Sequence, residues 1–186
     1  TIADVLLDGV ALSEAIVTSP AGFDVIGANR DLAGMDITLM SKTDSHELFK
    51  TAMAELVNDQ VSTQKQPYDY VIIDCAPSLN LLTINALVAT DSVIIPMQCE
   101  YYALEGLADL SQTIERLTEL NPKLYIRGVV RTLFDARNTL ARDVSTELEA
   151  HFGDIMYKTH IPRNIRLAEA PAHGLPVIAY ERWSKG

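Results

Sequence analysis

The chain has 186 residues, of which 48% are hydrophobic and 22% charged, and its formal net charge is −10 at pH 7. That balance indicates a folded protein with room for a sizeable core; it excludes a disordered chain and one that coats nucleic acid through overall charge. No apolar run approaches the roughly 20 residues of a bilayer span, and no signal peptide is visible.

The elements follow in chain order. Thr1–Leu7 reads as a helix whose start lies outside the sequence. Phe23–Ala28 is a strand-like run. Asp44–Val57 places Leu48, Phe49, Ala52, Met53, Leu56 and Val57 at the spacing of a helix with one buried face. Tyr70–Asp74 reads as a buried parallel strand, followed by a helix over Leu79–Ala89 that Ser78 can cap. Ser92–Pro96 is the next strand, and Leu104–Leu120 a helix ending before Asn121-Pro122. Leu124–Arg131 is a strand, Asn138–Phe152 a helix closed by Gly153 as a left-handed C′ residue, and Ile155–His160 a weaker strand. Val177–Tyr180 is strand-like, with no closing helix before Gly186. Strands alternating with helices predict an α/β fold: a mostly parallel sheet with helices on both faces, over residues 1–186 as a single nucleotide-binding domain.

Charge is distributed unevenly along the chain. Residues 1–115 hold 4 Lys/Arg against 17 Asp/Glu, whereas residues 116–186 hold 11 against 8. Such asymmetry suits a local anionic partner, and ordinary surface scatter explains it equally well. Cys75 and Cys99 each follow an apolar run without a CxxC partner and read as buried, reduced thiols.

The densest signal is Tyr68-Asp69-Tyr70-Val71-Ile72-Ile73-Asp74-Cys75-Ala76-Pro77-Ser78. A β-branched run ending in a carboxylate and broken by proline delivers Asp74 to the carboxyl edge of a sheet. Nucleotides bind at such edges, and an Asp there can help hold Mg²⁺. Many α/β proteins carry a similar Asp that only caps the next helix. The phosphate-cradling G-x-x-x-x-G-K-[ST] motif does not occur in these residues, and the first residue is Thr1. The sequence therefore reads as a piece truncated at both ends, expected to lack ATP turnover by itself. Gln98 and Glu100, after the next strand, suit a ligand crevice or a dimer contact; Tyr101 and Tyr102 suit the core. Arg137, Arg163 and Arg166 lie in loops, where arginine suits phosphate but is most often merely solvated. His46, His151, His160 and His173 show no metal-ligand spacing and are assigned surface or structural roles.

Four strings, YDYVIIDCAPSLNLLTINAL, DSVIIPMQCEYYALEGL, LFDARNTLARDV and IPRNIRLAEAPAHGLPVIAY, together make the chain resemble the ParA/Soj family of chromosome-partitioning ATPases. These are P-loop NTPases of the deviant Walker A group. The resemblance implies ATP and Mg²⁺ as cofactors, an ATP-bound homodimer that binds double-stranded DNA without sequence preference, and release on hydrolysis stimulated by a ParB-type centromere-binding protein. It implies a cytoplasmic, nucleoid-associated protein with no membrane partner. By the same resemblance Asp74 is the catalytic Walker B carboxylate, near Mg²⁺ through water. Cys75, Ala76, Pro77 and Ser78 form the γ-phosphate switch. Pro162, Arg163 and Asn164, with Thr132, surround the adenine; Gln98, Glu100 and Tyr101 lie near the dimer interface; Arg137 and Arg166 grip DNA phosphates. Two positions depart from the family pattern: Ala76 stands where a second proline is common and Asn80 where a glycine is. Three rival readings remain. A MinD-like membrane-cycling ATPase would need a basic amphipathic helix, which these residues lack. An electron carrier like nitrogenase iron protein would need cysteines placed to share a cluster. The isolated stretch could also serve as a non-catalytic interaction module.

Overall fold

A computed structural model describes every residue except Ala33 and Gly186. The contacts divide it into two compact units, one of Thr1–Asp91 with Leu120–Pro122, the other of Ser92–Glu119 with the residues from Lys123 onward.

The first unit is helical. Helix α1 (Ile2–Asp8), α2 (Leu12–Ala15), α3 (Met35–Met40), α4 (Leu48–Ser62) and α5 (Leu81–Ala89) surround a core of Ala3, Val5, Leu6, Leu12, Met35, Leu39, Phe49 and Leu56. Helix α1 ends at Gly9, whose φ of 71° is the left-handed conformation glycine adopts without a Cβ clash. The Lys42 ammonium donates to the carbonyls of Leu6 and Leu7 at the same helix end, satisfying acceptors the helix leaves open. Buried Asn85 joins two helices: its Oδ1 accepts the Phe49 amide at 3.2 Å, and its Nδ2 donates to the Ser45 and Leu81 carbonyls at 2.7 and 3.0 Å. Two short strands, β1 (Val17–Thr18) and β2 (Asp24–Val25), form an antiparallel ribbon. The Tyr68 hydroxyl donates to Asp24 beside it at 2.5 Å.

Several expectations fail in this unit. The strand expected over Phe23–Ala28 shrinks to two residues. Tyr70–Asp74 joins no sheet among the described residues; it is an extended segment with Ile72 92% exposed, while Ile73 packs on the helical core. An apolar run becomes a strand only where a neighbour takes its N–H and C=O groups, and among the described residues the ribbon in this unit pairs only with itself. Cys75, expected buried, is exposed. Helix α5 is capped by Asn80, not Ser78: the Asn80 carboxamide oxygen accepts the Thr83 amide at 3.0 Å, while the Ser78 carbonyl accepts the Thr83 hydroxyl at 2.7 Å. The departure at Asn80 thus has a local structural account.

The second unit is built on a three-stranded parallel sheet in the order β3 (Ser92–Gln98), β4 (Tyr125–Phe134), β5 (Met156–Pro162). Helix α6 (Ala103–Leu117) connects β3 to β4, and α7 (Thr139–Phe152) connects β4 to β5; the two helices touch each other and the sheet. Leu107, Ile114 and Leu117 of α6, Val144 and Leu148 of α7, and Val129 of β4 are buried. This is the βαβαβ arrangement that the alternating pattern predicts, and it sends all three strand carboxyl ends to one edge. Gly128 lets β5 approach β4: a Cβ there would lie 2.7 Å from the Tyr157 ring and 3.1 Å from the Ile155 carbonyl.

Three more expectations fail here. Gly153 has φ −51° and ψ −37°, so the chain runs on into a 3₁₀ turn over Gly153–Ile155 without a left-handed stop. Val177–Tyr180 is a single helical turn after Pro176, whose carbonyl accepts the Ala179 and Tyr180 amides; a four-residue apolar run has no period that separates strand from helix. Tyr101 and Tyr102, expected in the core, are 75% and 72% exposed and pack edge to face at 5.0 Å.

Candidate functional site

The carboxyl ends of β3, β4 and β5 open into two adjoining hollows. The larger, about 250 Å³, is lined by Phe134, Asp135, Ala136, Arg137, His160, Pro162 and Arg163. The smaller, about 140 Å³, is lined in part by Gln98, Cys99, Glu100 and Asn138, and it shares Phe134, Asp135 and Arg163 with the first. Ligand sites at parallel-sheet carboxyl edges arise because crossover loops diverge there.

Each wall has a local origin. Strand β4 ends at Phe134, whose ring meets that of His160 edge to face at 4.9 Å, and the Phe134 carbonyl accepts the Arg163 amide at 3.3 Å. Just before it, Leu133 has φ 50°, a conformation costly for a branched residue, and the β4–β5 register shifts between Arg131 and Phe134. After Phe134 the chain turns: Asp135 Oδ1 accepts the Arg137 amide at 3.0 Å, and the Asp135 carbonyl accepts the Asn138 amide at 3.0 Å. Asn138 then caps α7 by accepting the Ala141 amide.

The turn also fixes the electrostatics. Arg137 donates side-on to Asp135, Nε to Oδ1 at 3.0 Å and Nη2 to Oδ2 at 2.8 Å, while 91% of its side chain faces solvent. Hydrogen bonds from the Arg137 side chain and then from its backbone hold the Asp135 carboxyl at a pKa of about 2. Burial pushes the Cys99 thiol up, against the opposing influence of the Arg131 charge.

The expected site residues fall into two groups. Gln98, Glu100, Arg137, Pro162 and Arg163 come together around the two hollows. Thr132 lies beside them in register with Gln98 on the neighbouring strand but does not line either hollow. Asn164 caps α8 (Ile165–Glu169) through the Arg166 amide at 2.8 Å and donates to the Lys185 carbonyl at 2.9 Å. Arg166 on α8 donates to Glu169 at 2.7 Å, and Tyr101 stands exposed after β3. Asp74, Cys75, Ala76, Pro77 and Ser78 form an exposed segment of the first unit. Partial desolvation of the Cys75 thiol, reinforced by the neighbouring Asp74 carboxylate, favours its protonated form.

The sequence reading gave no role to Phe134, only a surface or structural one to His160, and none to Arg131. The first two line the larger hollow, and only their places at strand ends could have marked them. Arg131 is a buried guanidinium inside β4. It donates to Ser145 at 2.7 Å and to Glu149 on α7, and to the carbonyls of Tyr157 and Lys158 on β5 at 3.2 and 3.4 Å. It ties together the three elements behind the hollows.

The larger hollow suits an adenine ring. Phe134, His160 and Pro162 offer flat faces, Arg163 offers donors, and 250 Å³ lies below the roughly 300–1,000 Å³ of sites that enclose a whole ligand. The described residues hold no group of three or more His, Cys, Asp or Glu that could cage a metal. A lone exposed carboxylate such as Asp74 suits Mg²⁺, which keeps several waters and takes phosphate oxygens alongside one or two carboxylates.

A family model described as an AAA domain matches residues 1–126. The chain is 46% identical to the chromosome partitioning protein ParA of Caulobacter vibrioides over 97% of its own length and 66% of that protein's. It is 47% identical to the sporulation initiation inhibitor protein Soj of Bacillus subtilis over 98% of its length and 70% of that protein's. It thus spans about two thirds of these relatives. Among solved structures, one named cobyrinic acid a,c-diamide synthase, from Mycobacterium smegmatis and holding ADP and magnesium, superposes with a TM-score of 0.75 at 33% identity, over 95% of this chain and 75% of that one.

Proposed function

The chain belongs to the ParA/Soj family of partitioning ATPases, and from that premise we propose that it is the nucleotide-gated DNA-binding part of such an ATPase. In this reading ATP and Mg²⁺ bind, two copies dimerise, the dimer grips duplex DNA without sequence preference, and hydrolysis stimulated by a ParB-type partner releases it. The protein is then nucleoid-associated.

The observation that carries the reading is the hollow at the ends of β4 and β5, with Phe134, His160 and Pro162 on its walls and Arg137 at its mouth. Pro162 and Arg163 flank the base, and Asn164 holds the backbone turn that presents them. The Phe134 and His160 rings exclude water from one side of the base. Gln98 and Glu100, with Tyr101 beyond them, form the contact between copies; the exposure of the tyrosines supports an intermolecular role better than a core one. Bound ATP and Mg²⁺ supply the transferable phosphoryl group and its charge neutralisation. Asp74 would hold Mg²⁺ through water by its exposed carboxylate, and the exposed turn from Cys75 to Ser78 would be the part of the chain that responds to the phosphoryl group. Arg137 keeps 91% of its side chain in solvent, and the Arg137 and Arg166 donors not taken by Asp135 and Glu169 would be open to DNA phosphates.

The test is ATP turnover by the full-length protein with DNA and its ParB-type partner. Asp74→Asn should lower Mg²⁺-dependent turnover by about 100-fold or more while a fluorescent ATP analogue still binds. Unchanged turnover would remove Asp74 from the metal's surroundings.

A further inference from the structure

The two arginines assigned to DNA do not stand alone: each is closed on a carboxylate of its own chain. Arg137 is held side-on by Asp135, with contacts of 3.0 and 2.8 Å, and the same carboxylate is anchored by the Arg137 amide at 3.0 Å. Arg166 is held by Glu169, one helical turn away, at 2.7 Å. We propose that Asp135 and Glu169 are built-in counter-ions that hold down the affinity of Arg137 and Arg166 for DNA phosphate. This inference rests on the assignment of those arginines to DNA.

The physical argument is one of competing anions. A phosphate that docks on the outer donors of either guanidinium sits at about twice the distance from the carboxylate as from the arginine. Coulomb repulsion from the carboxylate therefore cancels about half of the arginine's attraction. To use the side-on donors of Arg137, the phosphate must instead displace Asp135. Geometry makes the Asp135 counter-ion persistent: the turn fixes the carboxylate before the long arginine side chain closes on it, so little side-chain entropy opposes the pair. Hydrogen bonds from Arg137 favour the ionised Asp135 carboxylate, so the restraint is present at neutral pH. Weak grip suits a protein that must let go of DNA when its nucleotide changes.

The experiment measures binding of mixed-sequence duplex DNA by the full-length, ATP-loaded protein across a salt series. Asp135→Asn keeps an oxygen for the Arg137 amide and removes only the charge; Glu169→Gln does the same on α8. With two copies of each pair per dimer, each variant should bind about three- to tenfold more tightly at a given salt, with the salt slope unchanged. The gain of Asp135→Asn should vanish in an Arg137→Ala background, and Asp143→Asn on α7, a charge-matched control, should give none of it. Weaker or unchanged binding by both variants, or an equal gain from Asp143→Asn, would overturn the proposal; weaker binding would make the carboxylates positioning groups. If Arg137→Ala and Arg166→Ala themselves leave DNA binding intact, the assignment of the arginines to DNA has failed, and the carboxylate proposal fails with it.

Discussion

Asp135 shows how much one side chain can settle. It follows β4, makes the turn into α7, lines both hollows and fixes the orientation of Arg137. Its titration is the direct readout: the carboxyl should have its midpoint at about 2, and Arg137→Ala should return it toward the ordinary value near 4. The sign follows from the lowered folded-state value. The carboxylate's contribution is fully present above the unfolded pKa and lost as pH falls through about 2. NMR of the carboxyl carbon checks this, and an unshifted midpoint in the parent would deny the pair. Arg131 does comparable work in the interior. Arg131→Ala strips a donor from Ser145, Glu149 and two β5 carbonyls and should cost about 2–4 kcal/mol by urea unfolding. A loss within about 0.5 kcal/mol would show that water replaces it freely.

At the scale of elements, the second unit was legible because its strands and helices carry their own signals. Ser92–Gln98 and Tyr125–Phe134 are runs rich in β-branched residues and Met156–Pro162 a weaker one, all three find parallel partners, and α6 and α7 have periodic buried faces. The helix expected from Asn138 starts at Thr139, with Asn138 as its cap. What the sequence could not show depends on neighbours. Tyr70–Asp74 has a strand's composition but takes no ladder partner among the described residues, and Val177–Tyr180 is too short for its period to decide. Phe134 and His160 became site residues only through the meeting of β4 with β5, which no local pattern records. The closeness of those strands gives its own prediction. Gly128→Ala drives a methyl into the Tyr157 ring and should cost about 1–2 kcal/mol in unfolding free energy, part of it recovered by Tyr157→Ala in the same chain. No cost would mean that the ring moves away freely.

For the whole molecule, the proposed DNA binding is compatible with an acidic chain. In that proposal affinity would come from a few phosphate contacts that dimerisation doubles, and the net charge of −10 would keep the remainder of the surface from adding to it. Four arginines per dimer give a slope of log K against log salt of about −4, a modest grip that a nucleotide can switch. The measurement that tests this most directly is duplex binding by the full-length protein in ATP and in ADP, over a salt series and several unrelated DNA sequences. The account predicts binding in ATP and little in ADP, a slope near −4 that falls to about −2 in either Arg137→Ala or Arg166→Ala, and losses equal across sequences. Binding indifferent to nucleotide, or arginine variants that weaken some sequences and spare others, would contradict it.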